Sequence, residues 1–201
     1  MKAVIFDVAK VIVDWDAGRA VRGALPDEVV DAFLASQEYW AINAATDAGL
    51  PLVDAVARIE AELPEFAELA RLYYGERFPL TVTGEIPGTT AVIDELLAAG
   101  VPSYGLSNWS AENFSVARAG APVIDRLDGL IVSGEVGLAK PDEAIFRLAL
   151  DRFGLEASET LMVDDTQHNL DAAARVGMPT HLFTSAGTLR DDLVRLGLLA
   201  G

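Results

Sequence analysis

Five short apolar runs rich in β-branched residues recur along the chain, at residues 3–8, 101–106, 129–132, 160–163 and 179–183. Each is too short for a helix and too apolar for a strand with one wet face, which predicts strands of a parallel sheet buried on both sides. Between them the apolar spacing becomes helical. Residues 89–99 carry Val92, Ile93, Leu96 and Leu97 on one face and stop at Gly100. Residues 142–153 follow Pro141 and end at Gly154, residues 169–176 end at Gly177, and residues 188–199 close the chain. Glycine just past the last periodic residue is a helix stop. Strands alternating with helices of this length predict an α/β fold of three layers, a parallel sheet between two layers of helices.

Residues 17–83 break that rhythm. Only helical patterns occur there, at 27–35, 38–48, 52–63 and 65–78, punctuated by Pro26, Gly49-Leu50-Pro51 and Pro64. The economical reading is an all-α insertion after the first strand, forming a cap over the strand tips. The expected division is a core of residues 1–16 and 84–201 and a cap of residues 17–83. No internal repeat or low-complexity segment is present.

Composition narrows the function classes. An apolar content of 51% excludes a wholly disordered chain. With 15 Lys and Arg against 31 Asp and Glu, the formal charge of −16 repels phosphate backbones and anionic membranes, so neither nucleic acid nor membrane is expected as a partner. Cysteine is absent, which removes disulfides, thiolate metal sites and a thiol nucleophile. The N-terminal apolar run is broken at Asp7 and has no signal-peptide cleavage pattern, and no run approaches the ~18 apolar residues of a membrane span. A cytoplasmic protein acting on a small molecule is expected, as a monomer or homodimer.

Ligands of open parallel sheets bind beyond the carboxyl ends of the strands. Those ends read Asp7, then Ser107-Asn108, then Asp164-Asp165. Carboxylates from different strands suit one hard divalent cation, and Ser107 with its neighbouring amides suits an anion. Lys140, in Gly137-Leu138-Ala139-Lys140-Pro141, adds a positive charge just before a helix.

Phe6-Asp7, Leu106-Ser107-Asn108, Lys140-Pro141-Asp142 and Val163-Asp164-Asp165 followed by Asn169 resemble, in order and spacing, the four motifs of the haloacid dehalogenase (HAD) superfamily. The helical insertion resembles the cap that this superfamily places between its first two motifs. The N-terminal segment is most similar to subfamily I, the branch of sugar-phosphate phosphatases and dehalogenase-like proteins with a small helical cap. The resemblance implies a Rossmann-like core and a Mg²⁺-dependent phosphomonoesterase acting on a small phosphorylated metabolite. It implies Asp7 as the nucleophile that becomes an aspartyl phosphate. Mg²⁺ would be held by Asp7, the Ala9 carbonyl and Asp164, with Asp165 outside them. Ser107, the Asn108 amide and Lys140 would hold the phosphoryl oxygens, with Asn169 supporting the acidic loop. A carboxylate approaches a dianion only once cations neutralise the charge between them, so this assignment is physically coherent.

Two positions depart from the family pattern. Most phosphatases of the superfamily carry an acid two residues after the nucleophile, where this chain has Ala9, and a missing proton donor costs roughly 10²–10⁴-fold. Lys10 follows, where Gly or Asn is usual; in a left-handed turn it costs roughly 1–2 kcal/mol relative to Gly. Lys10 is open to three readings: facing solvent or pairing with Asp14 or Asp16, pairing with Asp7, or serving as a desolvated amine for Schiff-base chemistry. The alternatives to a phosphatase are therefore a 2-haloacid dehalogenase, an engineered or diverged chain in which Lys10 redirects or abolishes the chemistry, and a silent binding scaffold.

Trp15 and Arg19 directly follow the catalytic strand and are the expected substrate contacts. Trp40, Asn43, Tyr73 and Tyr74 read as packing within the cap, because aromatic residues at helical spacing usually pack. His168 reads as a solvated helix-start residue and His181 as a structural one.

Overall fold

The computed structural model describes residues 1–201. In chain order the elements are β1 (Ala3–Phe6), β2 (Val13–Trp15), α1 (Gly18–Val21), α2 (Asp27–Ala35), α3 (Gln37–Asp47), α4 (Leu52–Glu62), α5 (Ala67–Tyr74) and β3 (Val82–Glu85). They continue as α6 (Thr89–Ala98), β4 (Ser103–Ser107), α7 (Ser115–Gly120), β5 (Gly129–Val132), α8 (Ser133–Val136) and α9 (Glu143–Phe153). The chain closes with β6 (Thr160–Asp164), α10 (Gln167–Arg175), β7 (Thr180–Leu182) and α11 (Ala186–Arg195).

The main sheet has the order β5-β4-β1-β6-β7, and every pairing in it is parallel. The period-two alternation of its strands sorts their side chains between two apolar cores. Val4, Phe6, Leu161, Val163 and Val132 point to one face and pack with α6 and α11; Ile5, Leu106, Ile131 and Met162 point to the other and pack with α9 and α10. Both faces are thus covered over the inner strands, which explains why β1 and β6 are apolar at consecutive positions, whereas the edge strand β7 exposes Thr180 and Leu182. No helix is long and apolar enough to cross a membrane.

Helix ends follow local chemistry. Asp142 caps α9 by accepting from the Ala144 N–H at 2.9 Å, and Gly154 ends the helix at φ 66°. The expected helix at 188–199 begins earlier, because Ser185 caps it, and ends before Gly197, whose φ is 73°. The expected helix at 65–78 divides into a 3₁₀ turn at Pro64–Phe66 and α5, which stops before Gly75. The antiparallel pair β2–β3, and the short helices α7 and α8, were not expected from the sequence.

β2 and β3 lie where the chain leaves the core sheet for the inserted helices and where it returns. Asp14 ties the crossing together: it accepts from Thr83 Oγ1 at 2.6 Å and from Arg19 at 3.0 Å on each oxygen. The larger apolar core runs without a break from Val4 and Phe6 of β1, through Val11 and Ile12, to Phe33, Tyr39 and Tyr73 of the inserted helices.

Candidate active site

The site lies beyond the carboxyl end of the sheet. Asp7 follows β1 directly, its N–H donating to the Val163 carbonyl at 2.8 Å and so extending the ladder by one residue. The Val8 N–H donates to Asp7 Oδ1 at 2.6 Å. Asp164 ends the adjacent strand and is fully buried. Between the two carboxylates stands Lys140, its Nζ 2.9 Å from Asp7 Oδ1 and 2.7 Å from Asp164 Oδ2. Asn169 Nδ2 reaches both Asp164 oxygens at 3.1 Å, and the Thr166 N–H donates to Asp164 Oδ1 at 2.8 Å.

Burial pushes the Asp7 carboxyl up to about 7; the Lys140 charge opposes this, and Asp164 and Asp165 add to it. Burial alone would lower the Lys140 pKa, but the two carboxylates outweigh it and hold the pKa above its usual value. Asp165 is raised by partial burial and by its neighbour Asp164.

Asp7, Asp164 and Asp165 present carboxylate oxygens within 4.8 Å of one another. Such an oxygen-only set suits a hard divalent cation. Lys140 balances one of the three carboxylates, and the two left over match the charge of one such ion. No backbone hydrogen bond ends on the Ala9 carbonyl, which leaves it free to act as a further oxygen donor. The residues present therefore fit Mg²⁺.

Ser107 Oγ, at the end of β4, is buried without a hydrogen-bond partner. The N–H groups of Ala9 and Asn108 likewise take no backbone partner. An orphaned hydroxyl beside free amides and a buried ammonium is a receptor for an anion.

Several expectations need correcting. The Asn108 side chain has a structural partner that the sequence did not show. It grips the main chain of Lys140, and only its backbone N–H remains for a ligand. Arg19, expected to contact substrate, has its guanidinium committed to Asp14 and to the carbonyls of Asp14 and Thr81. Lys10 is exposed and pairs with none of Asp7, Asp14 or Asp16; its ammonium rests 5.7 Å from the Trp15 ring centroid. Lys140 already occupies the place beside Asp7, and an exposed amine lacks the desolvation that Schiff-base chemistry needs. Lys10 does adopt the left-handed backbone, with φ 59°, and no other residue except glycine does so.

Ala9 and Asn108 also form the floor of a cavity of about 270 Å³. Its walls include Trp15, Trp40, Tyr73, Tyr74, Phe78 and Trp109. Trp40, Asn43, Tyr73 and Tyr74, expected only to pack, thus line it. Trp109 is seated by its loop: its N–H donates to Ser133 Oγ at 3.0 Å, and the Gly134 N–H donates to its carbonyl at 3.1 Å. A Cβ on Gly134 would stand 2.6 Å from the Ala111 nitrogen, so only glycine permits this approach. Asp47, the one acid on the wall, was missed, because an acid near the end of an amphipathic helix reads as solvated. His168 is exposed, and His181 is buried against Asp192.

A family model for haloacid dehalogenase-like hydrolases matches residues 1–177, and the chain belongs to that family. Phosphoglycolate phosphatase of Rhodospirillum rubrum is 28% identical over 99% of this chain and 86% of the relative. The sesquiterpene phosphatase astK of Aspergillus oryzae is 35% identical over 49% of this chain and 51% of the relative, so this chain spans only about half of that protein. Among solved structures, a HAD family enzyme of Bacteroides thetaiotaomicron superposes with a TM-score of 0.73 at 18% identity, covering 98% of both chains, a likeness of fold.

Proposed function

We propose that this enzyme is a Mg²⁺-dependent phosphomonoesterase that works through an aspartyl phosphate on Asp7. The observation that carries the reading is the Asp7–Lys140–Asp164 arrangement beside the unpartnered Ser107 hydroxyl. Asp7, Asp164 and the Ala9 carbonyl would hold the metal, with Asp165 at its outer side. When bound, the cation supplies positive charge that lets a carboxylate meet a phosphate dianion.

The chain's own residues do the rest. Ser107 Oγ and the Asn108 N–H donate to the phosphoryl oxygens, and Lys140 holds a fixed positive charge where negative charge develops. Asp7 attacks phosphorus with an Oδ atom, the ester oxygen leaves with the bonding pair, and water then releases phosphate from Asp7. Asn169 holds Asp164 at one orientation. The helices between residues 17 and 83 serve as a cap that covers the strand tips and keeps bulk water from the intermediate.

Phosphate release from a panel of small monoesters, with Mg²⁺ and with EDTA, tests this reading, with Asp7→Asn as the blank. Mg²⁺-dependent release that Asp7→Asn abolishes is expected. Halide release from 2-haloacids without metal, in place of phosphate release, contradicts it.

A further inference from the structure

We propose that the aromatic cavity beside Asp7 is a subsite for an organic cation, so that the ester hydrolysed here carries an alkylammonium group on its alcohol. The proposal rests on the phosphatase reading for the ester and on the cavity itself for the cation. Ala9 and Asn108 link the cavity to the anion site, so the alcohol of a phosphate ester bound at Ser107 has this cavity as its room.

The chemistry of the walls selects among alcohols. Six aromatic residues, three of them tryptophan, line the space, and no Lys or Arg does. Aromatic faces attract cations through their quadrupoles, best of all tryptophan. Within this molecule, Lys10 already uses one face of Trp15 in this way. The only charged group on the wall is Asp47, whose carboxylate has neither an ion-pair nor a hydrogen-bond partner in the protein. Burial pushes its carboxyl up to about 7, and the one cation that acts on it, Lys140, is held by Asp7 and Asp164. The cavity therefore holds a carboxyl group without a protein partner among aromatic residues, and a bound cation would hold that group in its charged form.

Other alcohols fit less well. A distal carboxylate would face Asp47 with no cation to receive it. A purely apolar chain would bury Asp47 without compensation. A polyol would need many donors and acceptors; the amide oxygen of Asn43 is taken by the Tyr74 hydroxyl at 2.9 Å, which leaves Asn113 Oδ1 and Trp109 Nε1 as the buried unpartnered polar atoms of the lining residues, too few for a polyol. A tetraalkylammonium or a protonated amine satisfies the rings and the carboxylate together.

The test compares choline phosphate with neohexyl phosphate, its uncharged carbon isostere, on the full-length enzyme with Mg²⁺ and on Asp47→Asn. A kcat/KM preference for the choline ester on the order of tenfold is expected, falling towards parity in Asp47→Asn. A preference absent in the parent, or an Asp47→Asn loss equal for both esters, overturns the proposal; the second result would make Asp47 a proton donor or a structural group. Tetramethylammonium binding, followed by tryptophan fluorescence, reads the subsite without turnover. Saturable binding that weakens in Asp47→Asn supports the subsite even if no ester is hydrolysed, in which case the phosphatase reading alone falls. No saturable binding overturns the subsite even if esters are turned over.

Discussion

Asn108 holds Lys140 by both of its main-chain polar groups: Asn108 Nδ2 donates to the Lys140 carbonyl at 2.8 Å, and Asn108 Oδ1 accepts from the Lys140 N–H at 2.8 Å. One side chain at the tip of β4 thereby fixes the segment that carries the site's buried ammonium. Asn108→Ala leaves both peptide groups unpaired, at a cost of about 1–3 kcal/mol. Because Lys140 then loses its aim, turnover is expected to fall roughly 10–100-fold, the range seen for residues that orient an active group. Denaturation and steady-state kinetics measure the two effects; a stability loss with kcat unchanged would show that the grip does not serve the chemistry.

Lys10 stands at φ 59° with its ammonium over Trp15. The left-handed conformation costs a side-chain-bearing residue about 1–2 kcal/mol, and an exposed cation–π contact returns only about 0.5–1 kcal/mol. Lys10→Gly is therefore expected to stabilise the protein modestly, raising Tm by about 1–4 °C, with phosphatase turnover at the parent level. A lower Tm contradicts the strain argument. Turnover lost in Lys10→Gly would restore a catalytic part for Lys10.

Burial pushes the Asp7 carboxyl up to about 7, since it penalises the charge more than Lys140 relieves it. Its ordinary value is 3.8. Between those values the native state keeps a proton that the unfolded chain has released, so this group's contribution to stability without metal falls as pH rises through the window. Metal binding must displace the same proton, so Mg²⁺ affinity should weaken by roughly tenfold per pH unit below about 7. Calorimetric titrations in buffers of different ionisation heat would show proton release at about pH 6 and almost none at about pH 8. A pH-independent affinity contradicts this.

Ala9 lines the cavity floor and has no proton to give a departing alkoxide. Ala9→Asp should raise turnover of alkyl phosphates by up to ~10²–10⁴-fold while barely changing p-nitrophenyl phosphate, whose leaving group needs no proton. Equal gains on both esters, or none on either, would show that leaving-group protonation does not limit the parent enzyme.

The legibility of this molecule in its sequence divides along physical lines. The inner strands β1, β4 and β6 are visible because coverage of both faces makes their runs largely apolar, whereas β7, at the sheet edge, exposes Thr180 and Leu182; Asp7, Ser107 and Asp164 stand out as the polar residues that end the inner runs. β2 and β3 are not visible: each is very short, and their pairing joins Trp15 to Val82, too far apart in the chain for any local pattern to record. Lys140 is legible as a cation before a helix, whereas the grip of the Asn108 side chain on the Lys140 main chain is not, since it joins residues 32 positions apart. Asp47 and Arg19 depend on how the inserted helices dock. That docking turns one acid into a cavity wall and ties one arginine to Asp14.

The central claim is that Asp7 carries the phosphoryl group. Acid quench of a single turnover with a labelled phosphate ester, followed by peptide mapping, tests it most directly. The account predicts label on the peptide containing Asp7, formed with Mg²⁺ present, absent with EDTA and absent in Asp7→Asn. Phosphate release without any label on that peptide, persisting in Asp7→Asn, would contradict it.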